Sequence, residues 1–137
     1  MKTRILLFLS FAFLSATILT FTGCKKYEDG PRFSLSSKKG RITNQWQFTE
    51  KIVNGQPQQL TNITVRDIKR DGAYILTVGT STDETGKWEF SSDKESITFI
   101  PDDDDAYSRD ILRLKSNELW LEYRDGSDIY EYHYRKN

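Results

Sequence analysis

One cysteine and one histidine among 137 residues leave redox and metal chemistry little to work with. A lone cysteine cannot close an internal disulfide. The lone histidine, His133, has no second histidine and no cysteine beyond position 24 to join it in a metal or nucleophile set. It therefore reads as a solvent-facing or hydrogen-bonded strand residue, and no metal or cofactor is expected. Excess charge is missing as well: 20 basic residues meet 20 acidic ones, and with Lys2 and Arg4 ahead of the cysteine the rest of the chain carries 18 against 20. No strongly basic face follows, so nucleic acid is not an expected partner. Long hydrophobic runs are confined to residues 5–23, and a composition of 29% charged and 36% hydrophobic residues suits one soluble domain plus extras.

The single run, ILLFLSFAFLSATILTFTG, follows Lys2 and Arg4 and holds no charge over 19 residues, which is the order of an export signal. Its length also overlaps that of a spanning helix. The next residues separate the two readings. Phe21-Thr22-Gly23-Cys24 resembles the lipobox of bacterial lipoproteins, in which an apolar residue, a small residue and Gly or Ala precede the cysteine; Phe21 stands where Leu is usual. The resemblance implies a signal peptide over residues 1–23, cleaved before Cys24, and lipidation of Cys24 through a thioether-linked diacylglycerol and an acylated amine, with chains of the palmitate kind. Cysteine suits this because its thiolate is a good nucleophile. At about 0.8 kcal/mol per buried methylene, one chain binds reversibly and two or three bind lastingly, so the membrane is a partner through Cys24. Lys25 in place of Asp lacks the inner-membrane retention signal of lipoproteins and points to the outer membrane of a Gram-negative cell. Lys26-Tyr27-Glu28-Asp29 resembles, loosely, the acidic signal that sends some such lipoproteins to the cell surface. Periplasm-facing and surface-exposed placements both stay open.

Residues 28–40, EDGPRFSLSSKKG, mix two Gly, a Pro and three Ser with charge and show no apolar period. Residues 24–40 are expected to be a lipidated tether, with an ordered first strand through Phe33 and Leu35 as the alternative, and residues 41–137 a folded domain. In that domain one shape recurs, a short alternating apolar run followed by a polar turn. The runs are 46–53 (ending at Asn54-Gly55), 63–69 (ending at Asp71-Gly72), 73–80, 86–90, 96–101, 107–114, 119–124 (ending at Asp125-Gly126) and 129–135. Tyr74, Leu76 and Val78 are expected on one face, as are Leu112 and Leu114. Eight short strands joined by hairpin turns predict an all-β fold, an eight-stranded antiparallel up-and-down barrel whose closure removes its edges. A two-sheet sandwich is the alternative, less suited to connections this short.

Trp46 on the first strand, Asp71-Gly72 before a Tyr strand, Gly86-Lys87-Trp88 and residues 119–123 together resemble the lipocalin-like domain of small bacterial lipoproteins, over residues 41–136. That resemblance implies a non-enzymatic barrel that carries or senses a small hydrophobic ligand at the outer membrane. The family usually has Gly two residues before its first-strand Trp, and this chain has Asn44. Trp46 is a candidate ligand-binding residue on the resemblance and a barrel-floor core residue on its chemistry.

Tyr130, Tyr132 and Tyr134 form a period-2 stripe opposite Ile129, Glu131 and His133. Facing in, they line a pocket with hydroxyl-tipped rings; facing out, they offer an aromatic ladder to a protein or glycan; or they merely pack the sheet. Glu89, Glu122 and Glu131 sit beside aromatics, but alternation places them outside, and no enzyme is predicted. Asp102–Asp105 reads as a solvated turn, since adjacent carboxylates point different ways where a calcium loop spaces its ligands. Two functions remain open. One is a ligand-carrying barrel, the other a solid barrel whose outer face docks an envelope protein.

Overall fold

Alternation makes the strands, and tight turns set their order. The computed structural model describes residues 36–137. The signal-peptide residues, Cys24 and the first part of the tether, with Phe33 and Leu35, lie outside the described residues. Among the described residues one short helix, α1 (Lys38–Ile42), precedes nine strands: β1 (Gln45–Val53), β2 (Gln56–Gln58), β3 (Thr64–Ile68), β4 (Ala73–Val78), β5 (Ser81–Phe90), β6 (Ser96–Pro101), β7 (Tyr107–Leu114), β8 (Glu118–Asp125) and β9 (Asp128–Lys136). Every pairing is antiparallel, and β1 pairs with β9 as well as with β3. Strands β1 and β3 to β9 thus close the expected eight-stranded barrel. The ninth strand, β2, is an addition: it turns back at Asn54-Gly55 and pairs only with residues 51–53 of β1. Asn54 and Gly55 both have positive φ, 51° and 76°, as a two-residue hairpin requires.

The folded unit starts before residue 41. Ser37 caps α1, its Oγ accepting from the Gly40 N–H at 3.0 Å, and Arg41 donates through Nη1 to the Ser36 carbonyl at 2.6 Å. Ile42 is fully buried. A helix of five residues is too short to display a 3.6-residue apolar stripe, which is why Lys38–Gly40 read as linker. Asn44 has a job of its own: its side-chain amide donates to the Arg41 carbonyl at 2.7 Å, closing the helix end that a glycine would leave open.

Two of the three tryptophans, Trp46 and Trp88, seal the end of the barrel that carries α1. Trp46 is fully buried and donates Nε1–H to the Ile42 carbonyl at 2.7 Å; Trp88 donates to the Lys69 carbonyl at 2.8 Å, pinning the Asp71-Gly72 turn. Ile68, Tyr74, Ile97, Phe99, Leu114, Leu119 and Leu121 complete a dry core. Among the described residues the buried core runs from Ile42 to Tyr134.

Bulges break the simple parity. One at Thr49 turns Lys51 and Val53 inward, opposite Tyr132 and Tyr130. Another, between Ile111 and Arg113, means that Ile111 and Leu114 face the core, correcting the expected Leu112 and Leu114 pair. Gly86 lies inside β5 rather than at its start, and a Cβ there would collide with the Ile100 carbonyl and sit 2.8 Å from Pro101 Cα.

Candidate functional site

Above the dry floor the barrel interior changes character. A cavity of ≈ 110 Å³ is lined by Arg66 on β3, Phe99 on β6, Tyr107 and Arg109 on β7, Leu121 on β8, and Tyr132 and Tyr134 on β9. The tyrosine stripe therefore faces in. Tyr134 is buried near the floor, with Phe48 at 5.2 Å between ring centroids; Tyr132 stands above it, 5.9 Å from Phe48. Tyr130, one pleat higher, lies outside the cavity lining and pairs with Tyr123 at 5.9 Å, close to the β8–β9 turn. Trp46 is not in the lining either; it lies in the floor. Of the four candidate residues, the structure brings Tyr132 and Tyr134 to one cavity.

Four charged residues reach the interior, none of which stood out in the sequence. Arg66 is 7% exposed and sits over Phe99, its guanidinium carbon 4.0 Å from the ring centroid. Its Nη1 donates to the Tyr107 hydroxyl at 3.0 Å. Tyr107 and Tyr74 in turn donate to Glu84 Oε1 at 2.6 and 2.7 Å. Arg109 rests against Tyr123 at 4.4 Å and Tyr107 at 4.7 Å, and Lys51 is 5.6 Å from the Tyr130 centroid. Such cation–π contacts hold a cation without neutralising it. Burial, first, pushes the phenol of Tyr134 up, and does the same for Tyr132, Tyr107 and Tyr74; for the last two the adjoining Glu84 adds to the rise. All four are neutral donors at physiological pH. Arg66 and Arg109 could have been found by counting in twos from Ile68 and from Ile111, which carry the inward parity of their strands.

The remaining candidates lie elsewhere. His133 is on the outer face, stacked on Trp120 at 4.1 Å, with Nδ1 3.0 Å from Glu50 and Nε2 3.2 Å from Glu131. Arg113, on the neighbouring strand β7, also lies over Trp120, at 3.5 Å from the ring centroid. Glu122 binds Arg124 at 2.7 Å and Glu89 is exposed. The Asp102–Asp105 turn is exposed; Asp102 accepts from Thr85 at 2.7 Å and Asp104 from the Asp105 N–H at 2.8 Å. Among the described residues no group of three or more His, Cys, Asp or Glu is arranged to hold a metal ion.

A small closed antiparallel barrel with a polar-tipped aromatic cavity above a dry floor belongs to the calycin-like class of β-barrels. Within that class the assignment is specific: the sequence model of the lipocalin-like domain matches residues 42–121, more than half of the chain, and the protein belongs to the lipocalin-like domain family. The match takes in Trp46, Asp71-Gly72 and Gly86-Lys87-Trp88 and ends before β9. Comparisons with curated proteins and with solved structures return no match.

Proposed function

We propose that this is a lipoprotein of a Gram-negative outer membrane, anchored through Cys24, whose barrel binds a small amphipathic molecule without transforming it. The observation that carries the binding reading is the inward-facing Tyr132 and Tyr134, which with Leu121 and Phe99 make one wall of the cavity apolar and hydroxyl-tipped. Apolar rings supply affinity by area, and hydroxyls fix orientation. The lipobox-like Phe21-Thr22-Gly23-Cys24 supports the anchor, Lys25 supports the outer membrane, and the residues between Cys24 and the Ser37 cap would tether the barrel to it. No step of catalysis is assigned; among the described residues the cavity lining holds two arginines, three tyrosines, Phe99 and Leu121.

Binding is tested on the chain from residue 25 onward, which contains the whole barrel. An apolar fluorophore should bind with one-to-one stoichiometry and be displaced by an unlabelled amphiphile. Replacing Tyr132 with Ala should change its affinity by about 1–3 kcal/mol through lost ring burial. No saturable binding of fatty acids, isoprenoids or glycolipids would remove the carrier reading and leave the barrel as an envelope docking module.

A further inference from the structure

We infer that the cavity selects a ligand with an anionic head group, received by Arg66 and Arg109, on an apolar body that extends toward the barrel mouth; this rests on the small-molecule reading above. The carrying observation is an incomplete charge pairing. Arg66 Nε is buried with no hydrogen-bond partner, while the same side chain lines the cavity. Among the described residues no carboxylate lies within ion-pair distance of Arg66, Arg109 or Lys51. Glu84 is reached from Arg66 only through the Tyr107 hydroxyl, and it already accepts from Tyr107 and Tyr74. Three cations and one carboxylate thus share the interior.

Removing a guanidinium from water carries a large desolvation penalty unless a counter-charge and its hydrogen bonds replace the solvent. Arg66 cannot escape that penalty by losing its proton, because guanidinium stays charged in proteins. A carboxylate or phosphate entering the cavity would meet the guanidinium of Arg66, of which only Nη1 is given to Tyr107, together with the hydroxyls of Tyr132 and Tyr134 in the lining; the Tyr107 proton stays with Glu84. Arg109, on the same lining but closer to the mouth, adds a second positive charge over the entry. Size completes the inference. A dry cavity of about 150 Å³ holds a benzene, so ≈ 110 Å³ accommodates a head group and a few carbons only. The remaining body must run past Tyr132 toward Tyr130 and Tyr123, whose rings line the way out.

Calorimetric titration of the chain from residue 25 with octanoate and with 1-octanol separates head-group selection from simple apolar binding. Octanoate is expected to bind at least tenfold more tightly. Arg66→Met should abolish that preference while leaving octanol binding in place. It should also leave the melting temperature equal to or above that of the parent, because a buried charge without an ion-pair partner has been removed; a merely structural arginine would lower it. Arg109→Met should reduce the preference without touching the floor. If Arg66→Met does not fold, the comparison of the two ligands on the parent still decides. Equal affinities for octanoate and octanol would overturn the head-group assignment and leave a small-molecule binder. Absence of saturable binding for both would overturn the binding reading with it.

Discussion

Replacing Trp46 with Ala should remove a large part of the stability of the barrel, and the size of the loss follows from two separate contacts. The indole is 0% exposed and fills the floor beneath Arg66, its cross-strand neighbour on β3. Emptying such a site costs about 3–5 kcal/mol. Its N–H also satisfies the Ile42 carbonyl at 2.7 Å, at the helix end that closes the barrel. An acceptor orphaned there costs about 1–3 kcal/mol, less where water enters the new cavity to replace the indole. The two terms overlap, and a total near 4 kcal/mol is expected against a margin of about 5–15 kcal/mol for a domain of this size. With a urea slope of about 1.5 kcal/mol per molar, the midpoint falls by between 2 and 3 M. Trp46→Phe keeps much of the volume and loses the hydrogen bond, so it should cost about 1–3 kcal/mol. Urea melts followed by far-UV circular dichroism give both values. A Trp46→Ala melt that overlays the parent would show that the indole does not build the floor, and equal losses for Phe and Ala would show that the hydrogen bond, not the volume, governs it.

Gly86→Ala places a methyl group against the Ile100 carbonyl and Pro101 Cα inside the β5–β6 pairing, and should cost about 3 kcal/mol in the same melts; a neutral substitution would mean that the two strands part easily. Alkali should unfold the barrel through its tyrosines. Burial raises Tyr74, Tyr107, Tyr132 and Tyr134 above the ordinary value of about 10, so the neutral phenols stabilise the fold fully below that pH, and the contribution is lost as pH rises through the folded values. Tyrosinate absorbance should therefore rise together with loss of the near-ultraviolet dichroism, and full ionisation with the fold intact would refute the buried stripe. Cys24→Ser should leave an uncleaved precursor that no longer partitions into detergent or incorporates a palmitate analogue; equal labelling of parent and variant would remove the anchor.

Much of the fold was legible because alternation and turns agree. Asn54-Gly55, Asp71-Gly72 and Asp125-Gly126 each end a run of alternating residues, and each is a turn between paired strands. What escaped reading escaped for physical reasons. Gln56–Gln58 has no apolar residue to alternate, and α1 is stabilised by its Ser37 cap and by Ile42 docking rather than by periodicity. Residues 81–85 fall between the alternating runs 73–80 and 86–90, yet they continue β5 because Val78 and Ser81 already pair across the two residues between them. The cavity was half visible. Tyr132 and Tyr134 announced a stripe, whereas Arg66 and Arg109 were hidden by the rule that charged residues of a strand face water. The bulge at Thr49 hid Lys51 in another way, by changing which face its strand presents midway.

Native mass spectrometry of the barrel-containing chain, purified from cells without detergent, tests the central claim most directly. The account predicts a population carrying one small adduct per chain, released on denaturation and identified as an anion with an apolar body. It further predicts that Arg66→Met and Tyr132→Ala, expressed in the same cells, carry less of it. A parent protein that always flies at its bare mass, and that takes up no octanoate when supplied, would contradict the claim that this barrel is built around a ligand.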